Sequence, residues 1–171
     1  MDGAGARPGR LYDPTTLPAM PYATSEARRD LLDTLAEAAD ALGFALACLA
    51  EAYDKLDEHN GDRLEAELFR PVQLAYGRAK ATHTEFAGRH GLPIRGFQQP
   101  SAGVSPRGAP GFIDQAVEAV AEADRTLAEL QDSMLPVEAG DAELRSGLTA
   151  VRERVRGLPG TARELLRTLG R

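Results

Sequence analysis

The sequence predicts an all-α fold, an elongated four-helix bundle made of two helical hairpins joined by a long Pro/Gly-rich crossover. The first observation is a leucine repeat of seven residues that runs from Leu35 to Leu56. The second is that similar seven-residue rows recur in the last third of the chain. Such rows form the apolar face of a helix that packs against other helices. The third is one segment, 91–111, that contains four prolines and five glycines.

Composition restricts the class of protein and its surroundings. The 171 residues suit one domain, and with only 5% aromatic residues its core must consist of leucine, valine and alanine. A net charge of −6 argues against binding to nucleic acid or to an anionic membrane surface. One cysteine, no apolar signal segment and no run of ~18 apolar residues predict a soluble protein of a reducing compartment, the cytoplasm. Eighteen arginines against two lysines, with abundant alanine and glycine, indicate a GC-rich bacterial genome.

Residues 1–23 are predicted to form an arm outside the helical region 24–171. The segment contains seven glycines and prolines, which disfavour both helix and strand. We expect either a flexible arm or an extended arm that docks on the bundle or on a second subunit.

Helix 1 is predicted from Thr24 or Ser25, either of which can cap a helix, to about Glu58. Phe44 lies among acidic residues on the face opposite the leucines. An aromatic side chain on a polar face requires a cover, so Phe44, Ala47 and Cys48 are candidates for a protein interface. The two core rows are Leu35, Leu42, Leu49 and Leu56, and Leu32, Ala39, Leu46 and Tyr53.

Helix 2 and the crossover complete the first hairpin. The residues His59–Gly61 predict a turn, after which Asp62 would cap helix 2, and Pro71 should kink or split that helix. The crossover 91–111 is long enough, about 70 Å when extended, for helix 3 to run in either direction. Its first part could be pinned to the bundle by Leu92, Ile94 and Phe97.

Helices 3 and 4 form the second hairpin. Helix 3 is predicted over 112–135, and its core row would end with Met134. Asp141 is the expected cap of helix 4, which Pro159 should interrupt before Thr161 begins a new segment. The helix 4 core rows keep their seven-residue phase across this break, so both segments should lie on one core.

Arginines form a stripe beside the core face of helix 4. One interpretation is that the stripe faces acidic neighbours inside the bundle and determines which helices pair. The alternative is a site for an anion or an acidic partner. The stripe consists of Arg145, Arg152, Arg156, Arg163 and Arg167.

A polar cluster is predicted inside the bundle. Tyr76 and His83 share the inner face of helix 2, and Asp124 lies near the core side of helix 3. The cluster could be structural, because buried polar groups need hydrogen-bond partners, or it could be a pocket for a small ligand or metal.

Functional motifs are not found in the sequence. There is no phosphate-binding glycine loop, no Gly-x-Ser-x-Gly, no Glu-x-x-His and no Cys/His nucleophile arrangement. The sequence therefore favours a non-catalytic protein that binds a protein partner or itself, and it predicts no cofactor. The alternative is a bundle that binds a small ligand or metal at His83.

Overall fold

The computed structural model describes residues 21–171, with side chains from Thr24 onward, so most of the predicted arm lies outside the described residues. All regular secondary structure in this part of the chain is helical, and the all-α prediction is confirmed. The helices are α1 (Pro21–Asp54), α2 (Glu58–Leu64), α3 (Arg70–Arg89), α4 (Gly108–Asp132), α5 (Leu135–Glu138), α6 (Ala142–Val155) and α7 (Leu158–Leu169), and a π-helical turn (Glu65–Phe69) joins α2 to α3.

Both ends of α1 differ from the prediction. The helix begins at Pro21, because a proline in the first turn sacrifices no helical hydrogen bond. It ends at Asp54, and Asp57 caps α2 by accepting hydrogen bonds from the backbone N–H (3.0 Å) and the side-chain Nδ2 (2.7 Å) of Asn60. The predicted turn at His59–Gly61 is therefore wrong, since these residues lie within α2.

Pro71 interrupts its helix as predicted, and the interruption takes the form of the π-helical turn. Proline has no N–H to donate and its ring crowds the preceding turn. The N–H of Arg70 instead donates to the carbonyl of Glu65, five residues earlier. The wider turn lets one helical path continue from α2 into α3.

Two helices, α3 and α4, pack along α1. α4 is antiparallel to α1, because the Cys48 thiol lies beside Gln115 while the Lys55 ammonium lies 5.9 Å from the Phe112 ring centroid. α3 also runs antiparallel to α1, since it returns directly after α2. Hence α3 and α4 are parallel to each other. α6 packs on α3, and α7 packs on α4.

The core follows the predicted rows of helix 1 with two exceptions. Leu35, Leu42 and Leu49 of the first row are buried, and so are Leu32, Ala39 and Leu46 of the second row. Leu56, the last member of the first row, lies beyond the end of α1 and is only half-buried. Tyr53, the last member of the second row, is 43% exposed. Ala38, Ala45 and Ala52 are buried as well, so neighbours cover most of the circumference of α1.

The second half of the chain departs from the prediction at three helix ends. α4 begins at Gly108 and not at residue 112, so the last four residues of the predicted crossover are helical; Pro110 lies in the first turn, where a proline costs no helical hydrogen bond. α4 ends at Asp132, and Met134 is 51% exposed in a left-handed conformation rather than in the core.

Asp141 caps α6 as predicted, accepting from the Leu144 N–H at 2.8 Å. α7 begins at Leu158, not Thr161, because Pro159 fits its first turn. The buried residues Val151, Val155, Leu158, Ala162 and Leu165 continue across the break.

The crossover has no regular secondary structure between His90 and the start of α4 at Gly108. Leu92 and Phe97 pack against the core as predicted. Ile94 does not, because its side chain is 62% exposed.

Candidate functional site

Acidic and basic side chains are unevenly distributed among the helices. α1 and α4 together carry thirteen carboxylates and three arginines. α3 and residues 142–169 together carry ten basic residues and four carboxylates. The acidic pair α1–α4 could not be recognised in the sequence, because the crossover leaves the position of α4 undetermined.

A surface groove of about 420 Å³ lies between α1 and α4. Phe44 is half-buried in this groove and packs against the core, with Ala41 and Ala119 as apolar neighbours. We call it the Phe44 groove; it is lined by Glu37, Asp40, Ala41, Phe44, Ala119, Glu122 and Thr126. It combines an apolar floor with three carboxylates, a combination that suits a basic ligand with an apolar side chain.

The other predicted interface residues lie differently. Ala47 is half-buried on α1. Cys48 is fully buried, and its thiol donates to Oε1 of Gln115 at 3.7 Å. Cys48 is therefore not a surface residue, because α4 covers that side of α1.

Burial determines the reactivity of Cys48. It raises the pKa of the thiol to about 11, so almost no thiolate is present near neutral pH. We expect the folded protein to react with a thiol reagent at least ~100-fold more slowly than the urea-unfolded chain. Timed absorbance measurements with a disulfide reagent, with and without urea, test this expectation. Rapid labelling of the folded protein would contradict the buried position.

The predicted cluster of Tyr76, His83 and Asp124 is not formed. Tyr76 and His83 are buried on α3 toward α1 and the crossover. The Asp124 carboxylate instead accepts from Nε of Arg152 at 2.9 Å. α4 packs mainly on α1, α6 and α7, so Asp124 meets Arg152 of α6 and not the side chains of α3.

The surroundings of His83 are apolar on one side and charged on the other. The imidazole is 3% exposed, and its Nδ1 has no hydrogen-bond partner among the described residues. The Phe97 ring meets it in a T-shaped arrangement with centroids 5.2 Å apart. Burial lowers the pKa of His83, and the nearby positive charge of Arg95 lowers that pKa further. His83 is thus a neutral side chain at pH 7, closed in by the crossover.

Tyr76, two helical turns before His83, has close neighbours on both sides of its ring. A Cβ atom at Gly43 of α1 would lie 3.3 Å from its ring, so the glycine permits close packing. The Lys80 ammonium lies 4.2 Å from the ring centroid. Burial raises the pKa of the Tyr76 hydroxyl, which keeps it protonated.

Asp141 was predicted only as a helix cap, but its carboxylate also binds two side chains at the end of α3. Besides capping α6, its carboxylate accepts two hydrogen bonds from Arg89, at 2.8 and 2.9 Å, and contacts Nε2 of His90 at 3.0 Å. The Arg89 guanidinium is the main reason that the pKa of Asp141 lies far below its ordinary range. These contacts join the end of α3 to the start of α6.

The predicted arginine stripe is not one continuous surface. Arg152 pairs with one acidic neighbour, Asp124, and also donates to Oε1 of Gln131 at 2.8 Å. Arg145 and Arg163 donate to backbone carbonyls, of Pro136 and Pro159 respectively. Arg156 and Arg167 are exposed.

Comparison with known proteins gives no relative: no family model, no curated protein and no solved structure matches this chain. Among the helices described here, none is both long and apolar enough to cross a membrane. Residues 21–171 bring together no group of three or more His, Cys, Asp or Glu side chains that could hold a metal ion.

Proposed function

We propose that the protein is a non-catalytic helical-bundle protein of the bacterial cytoplasm that mediates protein–protein interaction or self-association. The observation that carries this proposal is the Phe44 groove, a half-buried aromatic side chain between three carboxylates. In this proposal the chain is a four-helix bundle in which α1 with α3, and α4 with α6 and α7, are the two hairpins on either side of the crossover.

The charge of α1 and α4 indicates the kind of partner. A basic surface would be attracted to the thirteen carboxylates of these two helices, and like-charged proteins would be repelled. Exposed charge pairs contribute only ~0.2–1 kcal/mol each, so most of the binding free energy must come from burial of apolar surface on the floor of the groove. A partner with an aliphatic or aromatic side chain between basic residues fits both features.

Replacing Phe44 with glutamate should remove this binding. Central aromatic residues of an interface typically contribute at least ~2 kcal/mol, which corresponds to roughly a thirtyfold loss of affinity. The measurement is an affinity pull-down from the native organism with mass spectrometry, followed by titration of the captured protein against wild type and Phe44→Glu.

A matched control is Leu74→Glu, which introduces the same charge at an exposed apolar residue of α3. We expect Leu74→Glu to retain the partner and both variants to keep the helical circular-dichroism spectrum. Equal binding by Phe44→Glu and Leu74→Glu would exclude the groove as the interface.

Self-association can be separated from binding to another protein. A second copy offers a basic surface on α3 and residues 142–169. Sedimentation velocity at low and high salt would then show an oligomer that dissociates in salt and in Glu122→Arg. A monomer at every concentration would exclude self-association and leave only a different partner protein.

A second candidate function is binding of a small ligand or metal at His83, and the unpartnered Nδ1 supports it. The separation of Asp124 from Tyr76 and His83 removes one of its three expected groups. A thermal-shift screen should find a ligand whose stabilisation is lost in His83→Ala. If His83→Ala changes only the baseline stability, His83 is structural.

A further inference from the structure

We propose that residues 92–97 of the crossover act as a latch that closes over His83 and, through Arg95 and Asp40, controls the charge of the Phe44 groove. The regulatory half rests on the function proposed above for that groove. The latch itself rests on contacts of the crossover alone.

Few contacts hold the latch closed. The Leu92 N–H donates to the Ala87 carbonyl at 2.8 Å, and the next such turn contact is that of Gly108 with Ser105. Between these points, residues 93–104 form no backbone–backbone hydrogen bond with the rest of the described chain. Side chains, chiefly that of Phe97, therefore hold this segment, and such attachments open at low free-energy cost.

The Phe97 side chain of the latch packs directly against His83. A neutral imidazole tolerates this buried position, although its Nδ1 loses hydrogen bonding to water. A protonated imidazole would be a buried cation close to the Arg95 guanidinium, which repels it. Asp33 and Asp40 of α1 attract that charge, but burial and Arg95 outweigh them. On α3 itself, Lys80 adds a further positive charge one turn earlier.

The direction of the pH dependence follows from these contacts. The pKa of His83 is lower in the folded protein than its ordinary value of 6.5. The closed latch is therefore fully stabilised above about pH 6.5, and this stabilisation decreases as the pH falls through the folded pKa. Acidification should open the latch.

Asp40 connects the latch to the groove. Its carboxylate lines the Phe44 groove and also accepts from Nη2 of Arg95 at 2.7 Å. The Arg95 guanidinium also lies 4.8 Å from the Phe97 ring centroid, so Arg95 and Phe97 form one unit. When the latch is closed, Arg95 offsets one of the three groove carboxylates. When it opens, Asp40 becomes available to a basic ligand, and such a ligand in turn favours the open state.

Nuclear magnetic resonance of the full chain tests the latch. A neutral gadolinium chelate should leave the Phe97 ring protons unaffected at pH 7.5 and should relax them progressively faster as the pH is lowered below 6.5. His83→Leu should keep the ring shielded throughout this pH range, because leucine cannot be protonated. Identical pH dependence in His83→Leu would overturn the latch.

A second readout does not depend on a variant that must fold. In the wild-type protein, the ring signals of His83 should titrate with the same midpoint as the exposure of Phe97. Two clearly different midpoints, or a Phe97 ring that is already exposed at pH 7.5, would also overturn the proposal.

Binding of an octa-arginine peptide at low salt tests the connection to the groove. Phe97→Ala opens the latch and should strengthen binding roughly fivefold, the size of one exposed charge contact. Asp40→Asn in the same background should remove this gain. Equal affinity of wild type and Phe97→Ala would overturn the regulation.

The exposed groove residue Glu122 supplies the control. If Glu122→Arg leaves peptide binding unchanged while the Phe97 ring still responds to pH, the function proposed for the groove fails and the latch remains as a local device. If binding responds to Glu122→Arg but the ring does not respond to pH, the groove stands and the latch fails.

Discussion

Replacing Gly147 with leucine is expected to destabilise the protein by about 3 kcal/mol or more, because no side chain fits between α6 and α3 at this point. A Cβ atom built at Gly147 would lie 2.6 Å from Cγ2 and 3.0 Å from Cβ of Thr82. Thr82 cannot turn away easily, since its branched side chain has few rotamers and its hydroxyl donates to the Arg78 carbonyl at 2.8 Å. The two helices must therefore separate.

Gly77→Leu is the matched control, since Gly77 lies on α3 with nothing within 4 Å of its Cβ position. There the same substitution should raise stability by about 0.5–1 kcal/mol through helix propensity alone. Urea denaturation followed by circular dichroism compares the free energies of unfolding. Adding Thr82→Ala to Gly147→Leu should recover part of the loss. Similar stabilities of Gly147→Leu and Gly77→Leu would show that α3 and α6 are farther apart than described.

The sequence predicts the helices well where apolar residues repeat at a regular spacing. It predicts the helix ends poorly where a single local hydrogen bond determines them. The rows of Leu35, Leu42 and Leu49 are buried as expected, because any packed helix buries such a row. The sequence predicts the turn at His59–Gly61 because asparagine and glycine favour turns, whereas the structure has the break at Lys55–Asp57. The capping bonds from Asn60 to Asp57 favour this break, and no periodic pattern contains that information.

The sequence identifies Phe44 as a candidate site residue but does not identify the residues that surround it in space. Phe44 is conspicuous as an aromatic residue among acids, and the structure places it in a groove. Which neighbours complete the groove depends on α4, and the crossover permits either direction for that helix. The same ambiguity explains why Cys48, only four residues later, is buried beside Gln115, and why Asp124 pairs with Arg152.

Asp141→Ala is the second substitution expected to have a large effect, and it should destabilise the protein by about 2–3 kcal/mol at pH 7. The change removes the cap of α6, worth ~1 kcal/mol, and the charge-assisted hydrogen bonds from Arg89. Asp141→Asn keeps an acceptor for the Leu144 N–H but lacks the charge, so its loss should be smaller. Urea denaturation of the three proteins at pH 7 measures both effects.

The acid dependence of these variants identifies the charge as the cause. The pKa of Asp141 is lowered in the folded protein, chiefly by Arg89, so its stabilisation is complete above the ordinary value of 3.8 and is lost as the pH falls below it. The difference between wild type and Asp141→Asn should therefore shrink between pH 5 and pH 2, whereas the capping difference between Asp141→Asn and Asp141→Ala should persist. A wild-type advantage over Asp141→Asn that is independent of pH would assign the effect to packing rather than to the bridge between α3 and α6.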